Sequence, residues 1–216
     1  MEAERRTSSQ GLPYLLFRPA EVPAPLIVFL HGWGERAHDG KGLELLYEHS
    51  PPRLARDGDL PEIGGRPFPF LLACPQTAHE QWTPDIDRVV GLAEELRREH
   101  GVDGVDGDRC YATGVSMGAT AVWRAAARSP GTFAALVPVS FDVPSLAREV
   151  DAPVWVWIGG DDHWTKDRPV KDHLYAHRPE DERTRFDCVP GAGHERGFWN
   201  DVYGRAEIYD WLLRWP

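Results

Sequence analysis

Cysteine is scarce in this chain of 216 residues, which carries only Cys74, Cys110 and Cys188, an odd number with no CxxC pair. Such wide spacing builds neither a disulfide framework nor a metal-ligand cluster. Each thiol falls in or beside an expected strand, where it packs as a small hydrophobe. The usage fits a reducing compartment, and a cytoplasmic location is expected. Long apolar runs are missing as well. Runs such as Pro25 to Leu30 have the length of a buried strand, against the roughly 18 residues that a membrane-spanning helix needs. The opening MEAERRTSSQ lacks the basic-then-apolar order and the small-residue cleavage site of a secretory signal, and residues 1–10 are expected to be flexible. Basic excess is absent too: the formal net charge is -10 with Arg and Lys scattered, which excludes the concentrated basic face that nucleic acid requires. Neither an internal repeat nor a low-complexity linker divides the chain, and one domain over residues 1–216 is expected.

What is present is a regular alternation of short apolar runs with segments of helical period, the pattern of parallel strands joined by right-handed crossovers. The expected fold class is α/β: a mostly parallel central sheet with helices on both faces and no large lid domain. Strands are expected at Leu12 to Arg18, Leu26 to Leu30, Phe68 to Ala73, Arg109 to Thr113, Ala134 to Val139, Val154 to Ile158 and Thr184 to Val189. Asp85 to His100 places Ile86, Val89, Val90, Ala93 and Leu96 three and four apart, one apolar stripe of a helix. Met117 to Arg128, stopped by Ser129-Pro130-Gly131, and Asn200 to Trp211 supply two more helices. Glu35 to Pro67, dense in glycine and proline, reads as a long connection around a short helical segment at Leu43 to His49. Because it leaves the carboxyl end of a strand, it is expected to form one wall of a site.

The strongest chemical signal is Gly114-Val115-Ser116-Met117-Gly118, a G-x-S-x-G set between a strand and an Ala-rich helix. A serine raised on so sharp a turn needs small residues two positions to either side, and the helix that follows points free N–H groups and its positive dipole end toward charge developing beside Ser116. On its own the motif is equally compatible with a glycine-rich turn holding an incidental serine. The strand Ile27 to Leu30 runs into His31-Gly32-Trp33-Gly34, a segment of the kind that supplies a second oxyanion-hole donor in esterases. The backbone N–H groups of Trp33 and Met117 are the candidate donors, and His31 is expected to brace the loop rather than to take part in chemistry. A base should follow the nucleophile late in the chain. His194, in Gly191-Ala192-Gly193-His194, is the candidate, whereas His173 and His177 fall on an expected surface helix suited to solvated roles. The orienting acid should lie between them, and Gly159-Gly160-Asp161-Asp162 offers two aspartates. Counting from Gly159 favours Asp162, with Asp161 as the alternative.

The order Ser116, Asp162, His194 is that of α/β-hydrolases, and with these segments in view the chain resembles the compact esterases of the dienelactone hydrolase and feruloyl-esterase-like branch. Some members of that branch are described as peptidases or as phospholipase/carboxylesterase-like proteins. The resemblance is carried by Pro25 to Arg36, His49-Ser50-Pro51-Pro52, Cys74-Pro75-Gln76 with Trp82, Gly114 to Gly118, Phe133 to Val139 and Gly191 to His194, and it covers Pro25 to Trp211. Dienelactone hydrolases proper use a cysteine nucleophile, so Ser116 does not carry over that particular reaction. The resemblance implies a serine esterase that needs no metal or organic cofactor and whose partner is a small-molecule ester, with neither nucleic acid nor membrane involved. Of nine tryptophans, Trp33, Trp82, Trp164 and Trp199 fall on loops expected near the site, and the last three are the candidates to line a substrate pocket beside the Trp33 motif. Two readings compete: a serine peptidase or amidase on the same scaffold, and an inactive ligand-binding homologue.

Overall fold

In the computed structural model, which describes residues 1–38, 40–100, 105–165 and 167–216, the seven apolar runs and one polar segment near the start of the chain form a single sheet of eight strands in the order β1-β2-β4-β3-β5-β6-β7-β8. These are β1 (Ala3–Thr7), β2 (Pro13–Phe17), β3 (Ala24–Leu30), β4 (Leu71–Pro75), β5 (Val105–Val115), β6 (Ala135–Val139), β7 (Val154–Gly159) and β8 (Thr184–Val189). The strands β4, β3, β5, β6, β7 and β8 run parallel, while β1 and β2 are antiparallel additions at one edge. The helices are α1 (Ser50–Asp57), α2 (Ile86–His100), α3 (Met117–Arg128), α4 (Asp167–His177), α5 (Arg196–Tyr203) and α6 (Ala206–Leu212).

Every residue of β3, β4, β6 and β7 is buried, because both faces of the sheet are covered. The two-residue period of a strand sorts them between two cores. Leu26, Val28 and Leu30 face the side of α2, α3 and α4, and Ile27 and Phe29 face that of α1, α5 and α6. The topology therefore brings the carboxyl ends of β3, β5, β6, β7 and β8 to one rim, which is where loops of parallel sheets carry function.

Three expectations are corrected. Residues 1–10 are not a flexible lead-in: Ala3–Thr7 pairs with β2 from Ala3 opposite Phe17 to Thr7 opposite Pro13. The sequence AERRT hides this strand, since an edge strand with polar residues on both faces shows no apolar alternation. The connection Glu35 to Pro67 contains a 3-10 turn at Gly42–Glu48 and then the unexpected α1, whose Pro51 and Pro52 lie in the first turn, where a missing N–H costs nothing. Gly58, at φ 81°, ends that helix in the left-handed conformation. The helix expected over Asn200 to Trp211 is two helices. It begins four residues earlier in the chain and is interrupted after Tyr203, where Gly204 returns its N–H to Asn200 and Arg205 turns extended before α6.

Candidate active site

Ser116 stands at the junction of β5 and α3 with φ 53° and ψ -118°, a backbone conformation that side chains rarely occupy. Its N–H is held by the Val139 carbonyl at 2.9 Å. The flanking glycines are required sterically: a Cβ on Gly114 would sit 2.6 Å from the Leu30 carbonyl oxygen, and one on Gly118 would overlap that same carbonyl. The turn can be this sharp only because β3 presses against it.

The end of β7 delivers Asp162 and the end of β8 delivers His194. The Ser116 Oγ and His194 Nε2 are 2.9 Å apart, and His194 Nδ1 is 2.8 Å from Asp162 Oδ2. With Nδ1–H donating to the buried carboxylate, Nε2 is left as acceptor for the Ser116 hydroxyl. The other oxygen of Asp162 accepts the N–H groups of Trp164 (2.8 Å) and Thr165 (3.1 Å), which locks the carboxylate plane. Asp161 is exposed and, among the described residues, contributes only its backbone N–H, to Ala192 O at 2.8 Å. Gly159 is where the loops meet, since a Cβ there would strike the Ala192 carbonyl of the histidine loop.

On the other side of Ser116 lies the loop after β3. His31 is fully buried, donates through Nδ1 to its neighbour Gly32 O (2.6 Å) and accepts the Thr77 N–H at Nε2 (3.1 Å). Burial pushes its pKa down to about 4, so the neutral ring serves as the brace the sequence suggested. Trp82 is 1% exposed and donates its indole N–H to His31 O at 3.0 Å. It stiffens the loop from behind and does not line the cavity beside Ser116, which corrects the sequence expectation; its apolar neighbours on α2 had no visible counterpart in the local motif. Trp33, 57% exposed, is fixed by the Arg36 guanidinium stacked 3.9 Å from its ring centroid and by its indole N–H donating to Glu80 (2.8 Å). The backbone N–H groups of Trp33 and Met117, each the first residue of a helical turn, have no intrahelical acceptor and no other protein partner among the described residues.

A cavity of about 980 Å³ opens beside Ser116 and His194, walled by Trp33, Met117, Phe141, Trp164 and Trp199. Trp164 is 81% exposed at the rim, with its ring 6.3 Å from that of His194, whereas Trp199 is nearly buried and stands edge-on to His194 at 5.2 Å. Phe141 and Glu35 also reach this wall and went unnoticed in the sequence. Phe141 follows the carboxyl end of β6, and its place beside the site could have been inferred from that position. Glu35 had a fainter signal, a carboxylate one turn beyond the His-Gly of the loop. It is buried, with Oε1 2.7 Å from His49 Nε2 in a bent approach. Burial alone would push its carboxyl up, but the His49 contact, with His31 and Arg196 adding to it, holds it below its ordinary value. Cys74 and Cys110 lie in the core with thiols pushed up by burial, Cys110 to about 12, and are no nucleophiles.

No protein-family model matches the chain, and no curated protein does. Among solved structures, a thermostable esterase matches with a TM-score of 0.69 at 23% identity, covering 99% of this chain and 62% of that one, so that this chain spans less than two thirds of the esterase's length. A protein of Klebsiella pneumoniae subsp. pneumoniae MGH 78578 assigned as a dienelactone hydrolase matches with a TM-score of 0.67 at 17% identity, covering 99% of this chain and 98% of that one. The chain has the α/β-hydrolase fold.

Proposed function

We propose that this protein is a serine hydrolase that cleaves carboxylic esters through an acyl-enzyme on Ser116. The observation that carries the reading is the unbroken chain from Ser116 Oγ through His194 to the buried Asp162, with links of 2.9 and 2.8 Å, set on a strained turn in the wall of an open cavity. In this reading His194 Nε2 takes the hydroxyl proton as Ser116 attacks the ester carbonyl, and Asp162 holds the ring in the tautomer that allows it and stabilises the imidazolium that forms. The carbonyl oxygen, now an anion, rests on the N–H groups of Trp33 and Met117. One such donor is typically worth about 2.7 to 4 kcal/mol in the transition state. The imidazolium then protonates the leaving alcohol, and water repeats the sequence on the acyl-enzyme. All of these steps draw on the chain's own groups.

Small, freely diffusing esters suit the site, because the rim residues Trp33, Trp164 and Phe141 are exposed and leave the cavity open to solvent. Among the described residues, no helix is long and apolar enough to cross a membrane. The absence of a disulfide among the described residues supports placing the protein in a reducing cytoplasm. The test is hydrolysis of p-nitrophenyl acetate together with labelling by a fluorophosphonate. Wild type should turn over the ester and be labelled at Ser116, and Ser116→Ala should lose both. Turnover by Ser116→Ala equal to wild type would sink the assignment, and a matched anilide run in parallel separates esterase from amidase.

A further inference from the structure

A second carboxylate and imidazole pair lies beneath the same site, and the steps above leave it unused. Glu35 and His49 are both buried, with 5% and 1% of their side chains exposed, and face each other at 2.7 Å. Glu35 belongs to the turn that carries Trp33, and His49 immediately precedes α1. His49 Nδ1 is 2.7 Å from Ser50 Oγ, and the Ser50 N–H donates to Asn200 Oδ1 at 2.7 Å, so the pair is anchored on α5. The His49 ring also packs 4.8 Å from that of Trp199, which in turn meets His194 edge-on at 5.2 Å. One indole thus touches the histidines of both carboxylate and histidine pairs.

The second oxygen of Glu35 points the opposite way. Oε2 is buried without a hydrogen-bond partner among the described residues, and it lies 3.1 Å from the point where a Cβ on Gly32 would stand, a point 3.7 Å from the Ser116 Cβ. The carboxylate therefore fills the space directly under the Gly32-Trp33 peptide, whose N–H is the expected oxyanion donor. From behind, the Gln76 side-chain amide donates to the Glu35 carbonyl (2.8 Å) and to the Gly42 carbonyl (2.7 Å), tying the turn to the next loop. Solvating a buried carboxylate is expensive to forgo, and it persists here only because the partner imidazole is fixed from the far side. The consequence is mechanical. With Oε1 packed 2.7 Å from the His49 ring and Oε2 against Gly32, the Glu35 side chain is confined at both ends, and the Gly32-Trp33 peptide cannot settle into the space it occupies.

We propose that Glu35 and His49 are positioning residues that hold the Gly32-Trp33 peptide at the height the oxyanion requires. The inference rests on the Ser116 reading above. A displacement of about 1 Å in such a donor is enough to cost on the order of 100-fold in rate, while ground-state binding of a small ester depends little on it.

The test compares Glu35→Ala, Glu35→Gln and His49→Phe by kcat, KM and inhibition by phenylboronic acid, with active sites counted by fluorophosphonate titration. Phenylboronic acid forms a tetrahedral adduct on the serine and so reports the oxyanion hole directly. Glu35→Ala and His49→Phe should each lower kcat per active site by about 10 to 100-fold, leave KM within about threefold, and weaken phenylboronic acid by the same factor as kcat. Glu35→Gln, which keeps an oxygen acceptor for His49 in an isosteric side chain, should recover at least about a third of wild-type kcat. The double variant Glu35→Ala with His49→Phe should be no worse than either single change, as residues acting as one unit require. His49→Phe keeps a ring against Trp199 and carries the test if Glu35→Ala fails to fold. Wild-type kcat and phenylboronic acid affinity per titrated site in His49→Phe would overturn the proposal, as would losses that multiply in the double variant. A wild-type protein that neither hydrolyses esters nor is labelled at Ser116 would overturn the hydrolase reading instead, a distinct outcome.

Discussion

Lowering the pH should unlatch the loop after β3 through a single histidine. His31 is fully buried and neutral, with its pKa lowered from 6.5 to about 4 chiefly by burial. In the unfolded chain the same ring titrates near its ordinary value, so between pH 6.5 and 4 the unfolded state takes up a proton that the folded state refuses. Stability therefore falls as pH drops through that window and stops falling from this cause below about 4. A shift of about 2.5 units at about 1.36 kcal/mol each corresponds to about 3 kcal/mol, a large share of the 5 to 15 kcal/mol that holds a typical domain together. Protonation also removes the lone pair at Nε2 that accepts the Thr77 N–H. Urea unfolding of wild type and His31→Asn, each at a series of pH values from 7 to 4, isolates the term because the other titrating groups are common to both. Wild type should lead the variant at pH 7, and its lead should shrink by about 3 kcal/mol by pH 4. A lead that stays constant within about 1 kcal/mol across that range, or an NMR titration that places the His31 midpoint near 6.5, would refute the reasoning.

Two further outcomes follow from the geometry. Asp162→Asn keeps the shape of the acid but not its ability to hold the Nδ1–H tautomer of His194, and the kcat for p-nitrophenyl acetate should fall by about 10⁴-fold, while Asp161→Asn, altering an exposed side chain, should leave kcat within about twofold. Trp164→Ala should raise KM for bulky aryl esters several-fold and leave the melting temperature within about 1 °C, because a side chain 81% exposed contributes to the cavity rim and little to the core.

Most of the sheet was legible in the sequence because the central parallel strands β3, β4, β6 and β7 are buried on both faces and so read as apolar runs. All seven strands expected from such runs are present, with ends displaced by a few residues: Phe68 to Ala73 appears as Leu71–Pro75. What escaped was structure held by something other than an apolar pattern. The strand Ala3–Thr7 is polar on both faces, α1 opens on two prolines that read as breaks, and the kink at Gly204 depends on Asn200 and Arg205 packing that no window of sequence displays. The site divides in the same way. Ser116, His194 and the oxyanion segment sit in motifs whose spacing is dictated by backbone contacts, the overlap of Gly118 with Leu30 above all. Counting from Gly159 favoured Asp162 over Asp161 but left both open, since the choice turns on which side chain faces into the protein. Trp82 misled because tryptophan serves a pocket and a core equally well, and only the direction of its N–H toward His31 separates the two. Glu35 and His49, 14 positions apart in sequence, meet only through the fold.

The charged character of β1 that concealed it from pattern reading has a use at the edge of the sheet. A bordering strand presents a row of unpaired backbone groups, an open template on which another chain can add. Glu4, Arg5 and Arg6 place ionised side chains along that border, and Arg5 and Arg6 are drawn into ion pairs with Glu44 and Glu99. An incoming strand would have to strip water from those charges and displace those partners before gaining its first hydrogen bond. The segment that looks least like a strand thereby makes its own edge of the sheet a poor template for another chain.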